Sequence, residues 1–270
     1  MCSNGRKEAA VDYAVTVGRK GGTDQVLEAQ AWAKELHLPF LEREGGLEKM
    51  LRRYGLKALL AATRLGPQVY TEQGVMRYHP GMAMLRIKVI KRGEPDHLAR
   101  ACQLKPGDRF FDGTLGLGAD AAVASFLVGP TGYVLGTEAS PVIYKMTSLG
   151  LKNYSEGESD FLAALRRIEV RHGITKDLLR QLPDNSFTVV YLDPMFQRPV
   201  EGSSSMTSLR PASYKHPLDR ETVEEALRVA PRVVIKERFR EVLENLGAQE
   251  IQGGRYSKVK YGIVRRNHGN

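Results

Sequence analysis

The chain has 270 residues, enough for one large domain or two modest ones with a packed core. Its hydrophobic fraction of 42% and charged fraction of 26% are ordinary for a soluble globular protein, and no apolar run approaches the roughly 20 residues of a membrane span. A formal charge of +9 and a pI near 9.5 favour a polyanionic partner, while two cysteines, Cys2 and Cys102, exclude a disulfide framework or a CxxC ligand pair.

The start, Met1 to Glu8, lacks the apolar core of a signal peptide, so a reducing cytoplasm is the expected compartment. Tyr13–Val17 alternates and β-branches like a strand. Gly21-Gly22-Thr23-Asp24 then offers a turn and a cap for a helix from Gln25 to about Leu36. Pro39-Phe40-Leu41 is a candidate short strand. Leu47 to about Leu65 reads as an amphipathic helix with a possible break at Gly55, its basic face carrying Arg52, Arg53, Lys57 and Arg64. Val69–Ile90 reads as a β-hairpin region turning at Gln73-Gly74 and breaking at His79-Pro80-Gly81.

The charged, Gly- and Pro-bearing run Lys91–Pro95 predicts a boundary between an N-terminal α+β domain, residues 1–95, and a second domain, residues 96–270. Residues 1–98 hold 16 Lys and Arg against 11 Asp and Glu, making the front segment the more basic per residue and a candidate for binding RNA. A helix over Asp96–Gln103 leads into the second domain. There, predicted strands Arg109–Asp112, Tyr133–Glu138, Ile168–Arg171, Phe187–Leu192 and Arg232–Lys236 alternate with helices Ala119–Phe126, Pro141–Tyr154, Asp160–Arg167 and Glu221–Val229. Such alternation predicts an α/β fold with a mostly parallel, Rossmann-like sheet covered on both faces. Glu250–Gln252 and Tyr256–Val264, split by Gly253-Gly254, read as a closing pair that includes a reversed last strand.

Two motifs carry chemistry. The first is Asp112-Gly113-Thr114-Leu115-Gly116-Leu117-Gly118-Ala119-Asp120-Ala121, a glycine-rich turn between a strand and a helix. Gly116-x-Gly118-x-x-Ala121 satisfies a nucleotide fingerprint, and Glu138 ends the next strand where an acid can accept from a ribose diol. A dinucleotide remains one reading. The acid Asp112, with Gly113-Thr114 before the glycine pair, favours instead a cofactor bearing an ammonium group, such as S-adenosylmethionine, because a carboxylate there would repel a pyrophosphate. The second motif is Val189-Val190-Tyr191-Leu192-Asp193-Pro194-Met195-Phe196. A strand ending this way offers Asp193 and the Pro194 carbonyl as acceptors for an amine and the ring of Phe196 as a stacking surface; it is also compatible with a plain turn.

With both motifs in view, the chain resembles class I S-adenosylmethionine-dependent methyltransferases. More narrowly, it is similar to the small-subunit ribosomal RNA guanine-N2 methyltransferase J family, whose hallmarks match residues 112–121 and 189–196. The resemblance extends to Glu138, to the Arg232–Lys236 strand and to the Gly81-Met82-Ala83 neighbourhood. It implies cofactor contacts at Ala119, Asp120, Glu138, Ala139, Thr175 and Asp193, beside the Asp112, Gly113, Thr114, Gly116 and Gly118 of the turn already read as a cofactor site. The strand-end motif supplies the candidate catalytic group of Asp193, Pro194 and Phe196, and the resemblance implies ribosomal RNA as the partner. The chain departs from the family in having Ala119 where a basic residue is usual. It also lacks a lysine-rich stretch after Phe196, where it has Gln197 to Ser205.

Other candidates are weaker. The Ser-rich segment, with Arg198, Arg210 and Lys215 around it, reads equally as a lid or a surface linker. Tyr191 reads as core, and Lys236 as a phosphate contact or an internally paired lysine. His37, His79, His97, His172, His216 and His268 show no ligand spacing, so no metal is expected, although His79 can border the site. A methyltransferase for protein or small molecules, and a non-catalytic RNA-binding protein, remain alternatives at this stage.

Overall fold

A computed structural model describes residues 11–194, 210–214, 217–254 and 258–266. They form two compact units: residues 11–78 with 210–213, and residues 79–194 with 214, 217–254 and 258–266.

The first unit opens with β1 (Tyr13–Val17) and α1 (Thr23–Leu36). His37, in the left-handed conformation at φ 54°, closes α1, and Pro39 follows two residues later. Phe40 makes a single parallel bridge to Val15 instead of founding a strand. α2 (Leu47–Tyr54) stops at Gly55, whose φ of 63° suits glycine. The apolar residues beyond it do not continue the helix. They form β2 (Ala58–Thr63), paired parallel to β1 and antiparallel to β3 (Gly66–Thr71), which turns into β4 (Gly74–Arg77). Leu59, Leu60, Ala61 and Ala62 are all fully buried, so this central strand is covered on both faces and lacks the alternation that marks a half-exposed one.

The second unit begins at His79 rather than at Asp96. Residues expected to extend the hairpin region instead form α3 (Ala83–Lys91), which buries Ala83 and Ile87, one helical turn apart. α4 (His97–Cys102) follows, capped by Asp96, whose Oδ1 accepts from the Ala99 N–H at 3.1 Å. The elements that follow are β5 (Arg109–Asp112), α5 (Ala119–Val128), β6 (Tyr133–Glu138), α6 (Pro141–Asn153), α7 (Ser159–Arg166) and β7 (Ile168–His172). Then come α8 (Thr175–Gln181), β8 (Val189–Leu192), α9 (Arg220–Val229), β9 (Arg232–Glu237), α10 (Arg240–Asn245), β10 (Glu250–Gln252) and β11 (Lys260–Arg265).

The sheet order is β10-β11-β9-β8-β5-β6-β7. The five strands from β9 to β7 run parallel, while β11 is antiparallel to both β9 and β10. One face buries Phe111, Leu135, Val190, Leu192, Val233 and Ile235 against Leu179 of α8 and Val223, Ala226 and Val229 of α9. The chain leaves β5 in one direction, through β6 and β7, and then crosses to β8 on the other side. The reversal lies between β5 and β8, and a crevice outside the carboxyl ends of strands at such a reversal is where open α/β sheets bind ligands.

Candidate functional site

The two sequence motifs leave neighbouring strands at this reversal. The register pairs Asp112 of β5 with Tyr191 of β8. Beyond the strand ends the contact continues: the Gly113 N–H donates to the Tyr191 carbonyl at 2.9 Å, and the Asp193 N–H donates to Thr114 Oγ1 at 2.6 Å. A β-carbon on Gly113 would lie 2.6 Å from both Leu192 Cδ2 and Thr175 Cγ2, so only glycine fits where the turn crosses the sheet edge.

Asp112 is buried, and its Oδ1 accepts from the Thr114 N–H at 3.0 Å. Burial, with Asp120 and Asp193 nearby, pushes its carboxyl up to about 8. Leu115 packs over Gly136 of β6, where an added β-carbon would come within 2.5 Å of Leu115 Cδ1. Gly116, at φ 53°, donates its N–H to Glu138 Oε2 at 3.0 Å and accepts from Thr147 Oγ1 at 2.7 Å. Glu138 Oε1 accepts from the Ser140 N–H at 2.8 Å, and burial outweighs these backbone bonds to push the carboxyl up to about 7. Gly118, at φ 74°, is the N-cap of α5, so Ala119 and Asp120 sit in its first turn. Ala139 is half-buried and its carbonyl lies 3.2 Å from His172 Nε2, while the His172 ring stacks on Tyr144. Thr175 Oγ1 donates to the Gly113 carbonyl, placing this residue behind the turn.

On the acceptor side, Asp193 is partly buried, and burial pushes it up to about 6 against the opposing pull of Lys236. Lys236 Nζ donates to Asp193 Oδ2 at 2.7 Å and to Asp120 Oδ2 at 3.3 Å. Lys236 is thus internally paired. Asp120 also accepts from the Tyr191 hydroxyl at 2.9 Å and from Arg86, which forks onto Asp96 at 2.8 and 3.0 Å. Two cations hold Asp120 below the usual carboxylate range despite burial. Tyr191 is fully buried and stacks on Phe110. Pro194 follows Asp193 directly; Phe196, Arg198, Lys215 and the Ser-rich segment lie outside the described residues. Arg210 falls in a short 3-10 turn of the first unit. His79 Nδ1 accepts from the Gly81 N–H at 3.0 Å, within its own turn.

Residues 68–238 match the family described as "Putative SAM-dependent methyltransferase". The chain belongs to this methyltransferase family. The "Uncharacterized protein YpiP" of Bacillus subtilis (strain 168) is 36% identical, over 84% of this chain and 89% of its own length. The Ribosomal RNA small subunit methyltransferase J of Pseudomonas fluorescens (strain Pf0-1) is 27% identical, over 77% of this chain and 79% of its own. In fold, the methyltransferase is similar to the solved SAM-dependent methyltransferase NGO1261 of Neisseria gonorrhoeae. The TM-score is 0.61 at 16% identity, covering 95% of this chain and 97% of that one.

The cofactor of the methyltransferase is therefore S-adenosylmethionine, and the residues present fit it. Glu138 is a half-buried acid at a strand end, fixed by two backbone N–H groups that leave lone pairs for hydroxyl donors. Asp112 is an acid that burial keeps protonated near neutrality, and an ammonium seated beside it would return it to the ionised form. Gly116 leaves space above the turn, since an added β-carbon would meet only the Thr114 carbonyl oxygen, at 3.9 Å.

Among the described residues, no group of three or more His, Cys, Asp or Glu is placed to hold a metal, and no helix is long and apolar enough to cross a membrane. Arg86 went unrecognised as part of the site because the alternating Leu85, Ile87 and Val89 read as strand. The Ala83 and Ile87 pair, four residues apart, was the available helical signal.

Proposed function

We propose that this methyltransferase transfers a methyl group to an exocyclic base amine of RNA, guanine N2 of small-subunit ribosomal RNA being the specific target. The observation that carries this is the bond from the Asp193 N–H to Thr114 Oγ1, which joins the acceptor motif to the cofactor turn at one sheet edge. The eight-residue match around Asp193 and the similarity to methyltransferase J support the choice of RNA. A ribosomal substrate would place the protein in the cytoplasm.

Bound S-adenosylmethionine supplies a methyl group already activated on a positively charged sulfur. The protein's task is then mainly to position and orient the amine. A ring amine is a weak nucleophile because its lone pair is delocalised. In this reading the Asp193 carboxylate accepts one N–H and the Pro194 carbonyl the other, favouring a pyramidal nitrogen and offsetting the charge that develops on it. Asp193 also takes up the proton that the nitrogen releases. Phe196 stacks on the extruded base. The first unit serves recognition: Lys49, Arg52 and Arg53 are exposed on α2, opposite the buried Leu47, Met50 and Leu51.

The test is transfer of labelled methyl to small-subunit RNA, followed by nucleoside analysis, with wild type and Asp193→Ala. The wild type should form N2-methylguanosine. The variant should lose about 10²-fold or more in turnover, the scale of removing one group that stabilises developing charge, while still binding donor and RNA. Full turnover by Asp193→Ala would end the proposal, as would a different modified nucleoside.

A further inference from the structure

Side chains alternate across a strand, so Tyr191 and Asp193 share one side of the sheet, opposite the one holding Val190 and Leu192. The register Leu192↔Ile235 sets Lys236 opposite Asp193, one step beyond the end of β8 and on that same side. From there charges alternate in an unbroken chain: Asp193, Lys236, Asp120, Arg86, Asp96. The five residues come from five places: the β8 end, β9, α5, α3 and the cap of α4.

The chain is anchored at its far end. Asp96 holds Arg86 with both oxygens and caps α4 as well. Asp120 has Arg86 and the Tyr191 hydroxyl as well as Lys236, so it keeps two partners of its own when Lys236 is removed. Lys236 lies closer to Asp193, at 2.7 Å, than to Asp120, at 3.3 Å. It holds Oδ2 alone; among the described residues no side chain engages Oδ1. Three acids against two bases leave one excess negative charge, and the unanchored end of the chain is Asp193.

We propose that Lys236 is a positioning residue, fixing Asp193 by Oδ2 so that Oδ1 is presented to the acceptor amine as a carboxylate. The inference rests on the reading of Asp193 as the group that receives the amine, and it adds the device that keeps this acid oriented and ionised. Asp193 faces Lys236 and Glu237 of β9, Asp120 of α5, Asp112 of β5 and Tyr191 of its own strand. Lys236 faces Tyr261 of β11 in addition, and Arg86 of α3 bears on Asp120. Of the groups facing Asp193 itself, Lys236 is the cation that favours its charged form.

The experiment compares wild type with Lys236→Met, Lys236→Gln and Lys236→Arg in the full chain. Two readouts are used: the pH profile of turnover on small-subunit RNA, and the titration of the Asp193 carboxyl carbon by NMR without RNA. In the Met and Gln variants both midpoints should move up by about 1–3 pH units, the usual effect of losing an adjacent opposite charge. Turnover at pH 7 should fall while KM for RNA and donor affinity hold, and Lys236→Arg should return both midpoints toward wild type. Folded Met or Gln variants whose carboxyl midpoint and acid limb stay in place would overturn the assignment. A wild type that methylates no RNA would defeat the functional reading by itself, and the carboxyl titration would still decide the role of Lys236.

Discussion

Replacing Glu138 by Gln removes one charge and keeps the length of the side chain. Burial raises the Glu138 carboxyl from its ordinary 4.5 to about 7. At about 1.4 kcal/mol per pH unit, that displacement is worth about 3 kcal/mol. The sign follows from proton counting. Below pH 4.5 the group is protonated folded and unfolded, and it contributes nothing. Between 4.5 and 7 the unfolded chain gives up its proton while the folded one retains it, so stability falls as pH rises. Above 7 both are ionised and the full cost remains. The Gln variant carries no such cost, but one of the two N–H donors, Gly116 or Ser140, loses its acceptor, an offset independent of pH. The stability difference between wild type and Glu138→Gln should therefore change by about 3 kcal/mol between pH 4.5 and 7.5, to the disadvantage of wild type. Urea denaturation at half-unit pH steps measures it. A difference that varies by less than about 0.5 kcal/mol over that range would refute the argument. Donor binding should run the other way: hydroxyl donors favour the ionised acid, so affinity for S-adenosylmethionine should rise from pH 6 to 8 more steeply in wild type than in the variant, which keeps the Asp112 contribution but not that of Glu138.

Three further outcomes are expected. Gly113→Ala drives a β-carbon to 2.6 Å from Leu192 and Thr175 and should cost about 1–3 kcal/mol of stability, read by thermal denaturation, together with donor affinity. Tyr191→Phe removes a hydrogen bond to the Asp120 carboxylate; it should cost about 1.5–3 kcal/mol in urea while donor binding persists, and loss of donor binding would count against a structural role for Tyr191. RNA affinity should fall steeply with salt, and Arg52→Ala should reduce the log–log slope by about 1; an unchanged slope would remove α2 from the RNA-binding surface.

The parallel strands of the second unit were legible because doubly covered strands read as continuous apolar runs between turn residues. Arg109–Asp112 and Tyr133–Glu138 have the same bounds in sequence and structure. The same property hid β2: Leu59-Leu60-Ala61-Ala62 is a doubly buried strand, and without alternation it joined the preceding helix in the reading. α3 failed the opposite way, since Leu85, Ile87 and Val89 alternate yet packing selected the Ala83–Ile87 face. α8 and α10, seven and six residues long, are too short to show a period. The meeting of Asp112, Thr114 and Asp193 was readable because strand order brings the carboxyl ends of β5 and β8 together. Arg86 was not: its partner Asp120 lies 34 residues away, and no local pattern encodes that pair.

The strand order also has a consequence for how the chain is made. β10 joins the sheet only through β11, which slots between it and β9. During synthesis the five parallel strands can assemble while residues 250–252 still wait for a neighbour that emerges after them. A chain halted before Lys260 would leave β9 with a bare backbone edge, ready to capture a strand from another nascent copy.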